Sequence, residues 1–188
     1  HARSLENLPK QGPFVLAPNH ASYLDPFAVA AVLELECMRK TYWGGWVGVA
    51  FNSRLKRVFS RIAHILPIDR QYAASSSLAF GAAALKRKQN LAWFPEGQRS
   101  ANGELLPFKP GLGMLLEHFQ VPVVPVYIQG SFEALPADKV WPRFTSITII
   151  FGECCDAREL AREGEGEQAY ERIVIALQKK VAMLNQLR

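Results

Sequence analysis

The segment Val121-Pro-Val-Val-Pro-Val-Tyr-Ile128 constrains the fold more than any other part of the chain. Rich in β-branched residues and without polar alternation, it reads as a strand over residues 122–128, buried on both faces. Shorter apolar runs at 14–16, 65–68, 91–94 and 147–151 read as further strands. Between them, apolar residues recur at helical spacing over 26–37, 54–63, 75–88, 110–119 and 170–187. Strand and helix alternate along the chain, which predicts an α/β domain with a mixed, largely parallel central sheet flanked by helices. The 188 residues, 49% hydrophobic and 21% charged, suffice for one core, and no repeat or composition shift divides them. A single domain over 1–188 is expected, excised or processed from a longer chain, because the first residue is His1 and no signal-peptide core follows.

Several classes drop out. Three cysteines, two of them adjacent at Cys154 and Cys155, fit no disulfide framework and lack the spacing of a zinc site. A reducing compartment and no metal are therefore expected. No apolar stretch approaches the roughly 20 residues of a membrane-spanning helix. A net charge of +5 favours anionic partners, whether phosphates, lipid headgroups or nucleic acid. No nucleic-acid signature and no phosphate-binding Gly-x4-Gly-Lys stretch is present, so neither nucleic acid nor ATP is expected.

Chemistry gathers where the apolar runs stop. In Asn19-His-Ala-Ser-Tyr-Leu-Asp25, the histidine and aspartate are five residues apart. On one helix that spacing leaves them ~140° apart, so they meet only if the chain bends between them. Asp25 as N-cap and Pro26 as first residue of the 26–37 helix supply such a bend. The pair then reads either as a general base with its orienting carboxylate, or as a helix cap beside an ordinary loop histidine. Phe94-Pro-Glu-Gly-Gln-Arg-Ser100 ends a second strand. Gly97 permits close approach of a ligand, Arg99 offers a forked donor for phosphate, and Glu96 can orient a hydroxyl or that arginine. A polar turn with a surface ion pair is the alternative. Pro67-Ile-Asp-Arg70 ends a third strand, with Arg70 either a phosphate contact or half of an Asp-Arg surface pair.

These blocks, with 121–128 as the fourth, resemble in order and spacing the motifs of the glycerophosphate and lysophospholipid acyltransferase family, over about residues 13–130. The resemblance implies that His20 deprotonates an acceptor hydroxyl while Asp25 holds its imidazole. It implies direct transfer of a fatty acyl group from acyl-CoA or acyl-carrier protein, as co-substrate rather than cofactor, to the free hydroxyl of a lysophospholipid. Arg70, Glu96, Gly97 and Arg99 match positions thought to bind the glycerol phosphate moiety, and Pro125 would shape the acyl or acceptor pocket. Two departures stand out. Position 98 is Gln where the family usually has Thr. The region Gly45-Trp-Val-Gly48 lacks the Ala-Lys pair that many members carry, which favours an acceptor such as a lysophosphatidylethanolamine-like lipid beside 1-acylglycerol-3-phosphate. A membrane-associated protein on the cytoplasmic face is implied, peripheral or anchored by a segment outside this chain. A non-catalytic lipid-binding or membrane-docking module with the same fold is the competing reading.

Residues 40–48, aromatic and glycine-rich, are expected at a surface or pocket rim. Tyr42, Trp43 and Trp46, with Lys40 and the basic face of 54–61, read either as a bilayer-interface cluster or as a partly buried aromatic cluster. His64 and His118 are expected to be structural.

Overall fold

The computed structural model describes residues 1–46, 65–68, 73–136, 139 and 141–186. The expected helix over 54–63, His64 and Arg70 lie outside the described residues. Among the described residues seven strands form one sheet: β1 (Ala2–Arg3), β2 (Val15–Pro18), β3 (Thr41–Trp46), β4 (Ile65–Ile68), β5 (Asn90–Ala92), β6 (Val123–Gln129) and β7 (Thr148–Phe151), in the order β1-β7-β6-β2-β5-β3-β4. From β6 through β4 every neighbouring pair is parallel; β7 runs antiparallel to β6, and β1 follows β7. The sheet is mixed and largely parallel, as the alternation of elements predicted.

The apolar run at 121–128 is central. Val123 and Tyr127 join Val15, Ala17 and Leu91 on one face, while Val124, Val126 and Ile128 join Phe14, Leu16 and Phe151 on the other. Strand side chains alternate between faces, so a strand covered on both sides must be apolar at every position. The first face is covered by α3 (Ala73–Lys86), α4 (Pro110–Phe119), α6 (Ala157–Glu163) and α7 (Ala169–Leu184). Helices α4 and α7 approach until Gly113 lies against the Tyr170 carbonyl, where a Cβ would collide with backbone. The second face is covered by α1 (Asp25–Ala30) and by Leu33 in the turn after it.

Three expectations need correction. The helix expected over 26–37 is two short ones, α1 and α2 (Leu35–Arg39), because Glu34 is extended and interrupts the ladder. Asp25 is not the N-cap: Leu24 takes that place, and the Asp25 carboxylate turns back to the loop before the helix. Residues 41–46 are no surface rim but β3, paired on both sides by β5 and β4. Trp43 is buried among Leu16, Val29 and Ala92, and Tyr42 packs against the opposite core, so neither serves a bilayer interface. The tetrapeptide helix α5 (Ser131–Ala134) and helix α6 were not anticipated. For α6 the signal was present: Asp156 caps it, accepting from Arg158 N at 2.7 Å, with Glu159 in the first turn. His118 is exposed at the end of α4, edge-on to Phe119. No described helix is long and apolar enough to cross a membrane.

Candidate active site

Strands β6, β2 and β5 lie side by side and run parallel, so the loops leaving their C-terminal ends share one edge of the sheet. In open α/β sheets that edge is where ligands bind. The first two sequence blocks follow β2 and β5 directly, and parallel pairing alone brings them together.

The loop after β2 is built around one carboxylate oxygen. Asp25 Oδ2 accepts from Ala21 N at 2.7 Å, Ser22 N at 2.8 Å and His20 Nδ1 at 2.8 Å. Asp25 has no exposed surface, and its Oδ1 has no hydrogen-bond partner among the described residues. An oxygen that already accepts from two backbone N–H groups faces His20 as an acceptor, which favours the Nδ1–H tautomer of His20. The imidazole stacks on Phe94, ring centroids 4.2 Å apart, and its side chain stays 20% exposed. Among the described residues nothing bonds Nε2, which leaves that nitrogen available as an acceptor. Of the two readings of this pair, the N-cap role falls to Leu24 instead, and the imidazole meets the carboxylate as the other reading requires.

Neighbouring groups fix the loop from both sides. Asn19, which the sequence reading passed over, extends the β6 ladder with its side chain: Nδ2 donates to Ile128 O at 3.2 Å and Oδ1 accepts from Ile128 N at 2.6 Å. Ser22 Oγ donates to Leu135 O at 2.8 Å, just beyond α5. Ser100 N donates to His20 O at 2.8 Å, tying the loop after β5 to the histidine itself.

Glu96 joins two loops. It is 2% exposed, and its carboxylate accepts from His20 N at 2.6 Å through Oε1 and from Leu106 N at 2.9 Å through Oε2. It thereby clamps the histidine loop to the loop after β5. Burial pushes its carboxyl up to about 7, against the two N–H donors that hold it down, with the Asp25 charge adding to the rise. The folded chain thus keeps this proton where the unfolded chain has released it. Its stabilising contribution is fully present below the ordinary value of 4.5 and is lost as pH rises through about 7. Urea unfolding of wild type and Glu96→Gln over that window is expected to show wild type losing ground steadily to the variant. A difference that stays constant with pH would mean that Glu96 does not titrate there.

Gly97 has φ +68° in the turn after Glu96. A Cβ there would meet the Lys109 side chain, with Nζ at 3.0 Å, and Lys109 N donates to Pro95 O at 2.8 Å. Glycine is required for both reasons, and the close approach is to this protein's own lysine. Arg99 lies with its guanidinium carbon 3.5 Å from the centroid of the Tyr23 ring, a cation–π contact reaching back to the histidine loop. Two cations therefore flank the 97–99 turn. Lys109 was not picked out from sequence, although it directly precedes the Pro110-Gly start of α4.

Pro125, to which the resemblance gives a pocket-shaping role, lies within the sheet. It is buried within β6 opposite Ala17, and its carbonyl accepts from Gly152 N at 2.8 Å just past the end of β7. A cleft of about 230 Å³ opens further along, lined by Asn19, Ala21, Tyr127, Gly130, Phe132 and Glu133. Burial pushes the Cys155 thiol up to about 11, which leaves it a poor nucleophile.

A family model described as Acyltransferase matches residues 1–129. The chain is 33% identical over 159 residues to human 1-acyl-sn-glycerol-3-phosphate acyltransferase alpha, covering 81% of this chain and 50% of that protein. It is 32% identical over 141 residues to 1-acyl-sn-glycerol-3-phosphate acyltransferase of Limnanthes alba, covering 71% and 47% respectively. The chain thus spans about half the length of these curated relatives. Its fold resembles the crystal structure of the 1-acyl-sn-glycerophosphate (LPA) acyltransferase PlsC from Thermotoga maritima, with a TM-score of 0.76 and 21% identity, over 99% of this chain and 70% of that one.

Proposed function

The chain belongs to the acyltransferase family, and from that premise we propose that it transfers a fatty acyl group from acyl-CoA or acyl-carrier protein to the free hydroxyl of a lysophospholipid. The observation that carries this reading is the 2.8 Å bond from His20 Nδ1 to a buried carboxylate that two backbone N–H groups also hold. Nε2 takes the proton of the acceptor hydroxyl as the oxygen attacks the thioester carbonyl. Asp25 stabilises the imidazolium that forms. The tetrahedral intermediate then expels the thiolate, which recovers the proton from Nε2, and His20 returns to its starting state without an acyl-enzyme. The chemistry needs no cofactor.

Arg99 and Lys109 are the groups we assign to the acceptor's phosphate. Arg99 offers a planar fork steadied by Tyr23, and Lys109 a point charge over Gly97. Lys109 supplies a cation of the kind missing at 45–48, so 1-acylglycerol-3-phosphate becomes the favoured acceptor and a lysophosphatidylethanolamine-like lipid the second candidate. Acyl transfer to both acceptors by wild type, Arg99→Ala and Lys109→Ala tests this assignment. Each variant is expected to raise KM for 1-acylglycerol-3-phosphate about ten- to a hundredfold, with KM for the acyl donor little changed. Equal losses for donor and acceptor would remove the phosphate role. Activity confined to the zwitterionic lysophosphatidylethanolamine-like acceptor would reverse the order of the two candidates.

A membrane-associated single domain working at the cytoplasmic face follows from a lipid acceptor and a basic chain. Fractionation of cells expressing the complete protein tests that placement.

A further inference from the structure

Two of the most exposed large apolar side chains sit almost together in sequence. Trp141 is 84% exposed, and Phe144 shows its whole side chain to solvent. Pro142 and the exposed Arg143 stand between them, in a segment without regular secondary structure. Rings held this far into solvent contribute little to the core. They recover the cost of their hydration only against something outside the molecule.

Hydrogen bonds fix where this segment lies. Arg143 N donates to Ala134 O at 2.7 Å, and the next carbonyl, that of Leu135, accepts from Ser22 Oγ at 2.8 Å. Two bonds and one peptide unit thus join the aromatic segment to the loop that carries His20. From that same loop Tyr23 is exposed, and so is Phe27 in the first turn of α1, at 61%. Exposed aromatic rings and a cation are thus carried by the His20 loop, the first turn of α1 and the segment tied to that loop.

We propose that Trp141 and Phe144 insert into the headgroup–acyl boundary of an anionic bilayer, with Arg143 against lipid phosphates, and thereby hold the His20 loop at headgroup depth. Exposed rings on either side of a cation, in a segment without regular secondary structure, match the chemistry of a bilayer interface. The net charge of +5 adds attraction to the same surface. The proposal rests on the acyltransferase reading in one respect: a lipid acceptor is what gives the docking its purpose. Partitioning itself does not depend on it.

The test is co-sedimentation with phosphatidylcholine vesicles, with and without phosphatidylglycerol, for wild type, the Trp141→Ser/Phe144→Ser double variant and Arg143→Gln. Wild type is expected to prefer the anionic vesicles. The double variant should lose about a hundredfold in partitioning, and Arg143→Gln about fivefold on anionic vesicles only. Turnover of a short-chain lysophosphatidate dispersed as monomers should be the same in all three proteins, while turnover of acceptor embedded in vesicles falls with partitioning. Unchanged partitioning of the double variant would overturn the proposal. So would loss in that variant of a protein–protein association with vesicle binding retained. Absence of turnover by wild type on every acceptor, with partitioning as expected, would instead count against the acyltransferase reading alone.

Discussion

Replacing His20 with alanine is expected to lower turnover by at least about a thousandfold, the weight of a positioned general base, with KM for both substrates little changed. The reason is local. Among the described residues the ring makes one hydrogen bond, to Asp25, and one stacking contact, with Phe94, and it is partly exposed. Its removal costs about 1 kcal/mol of stability and leaves the backbone bonds of His20 to Glu96 and Ser100 in place. The loop therefore keeps its shape and still binds substrate. Steady-state kinetics beside a denaturant melt separate the two effects. A variant with near-normal turnover would mean that another group takes the proton; a variant that is inactive because it is unfolded would show in the melt.

Asp25 is expected to give the second large effect, and two substitutions divide it. Asp25→Ala removes the acceptor of three donors at once, leaving the N–H groups of Ala21 and Ser22 without a partner. Stability should fall by about 2–5 kcal/mol, with turnover lost as completely as in the His20 variant. Asp25→Asn should keep the fold. The two backbone donors require the amide oxygen at the Oδ2 position, so His20 Nδ1–H retains its acceptor and its tautomer. What disappears is the negative charge that stabilises the imidazolium, at a cost of about a hundredfold in kcat. Full turnover in Asp25→Asn would show that the charge has no role. Collapse of both variants together would show that Asp25 is chiefly a loop residue.

Much of the site was legible because polar groups concentrated where apolar strands ended. A buried strand cannot carry such groups, and in a parallel sheet its C-terminal end is where they can meet a ligand. His20, Asp25 and Arg99 were singled out this way. Glu96 was singled out too, but sequence shows a carboxylate without showing that two backbone N–H groups face it. Pro125 was expected to shape a pocket, and its place as a buried strand residue was not legible, since position within a strand does not tell which neighbour covers it. Lys109 was missed because its relevance comes from lying over Gly97, twelve positions earlier, and only Gly97 drew notice.

The sequence alone determined the α/β class, the both-face burial of 121–128 and the His-x4-Asp pair, because periodicity and residue type act over a few neighbouring positions. Tertiary structure decided what those residues do. It made 41–46 an interior strand with Trp43 buried, left Trp141 and Phe144 outside, and converged three backbone and side-chain donors on one Asp25 oxygen. Such outcomes depend on which strands become neighbours. That choice is set by packing across the whole sheet, where a tryptophan in a short strand and a tryptophan on a projecting loop look alike until the partners are in place.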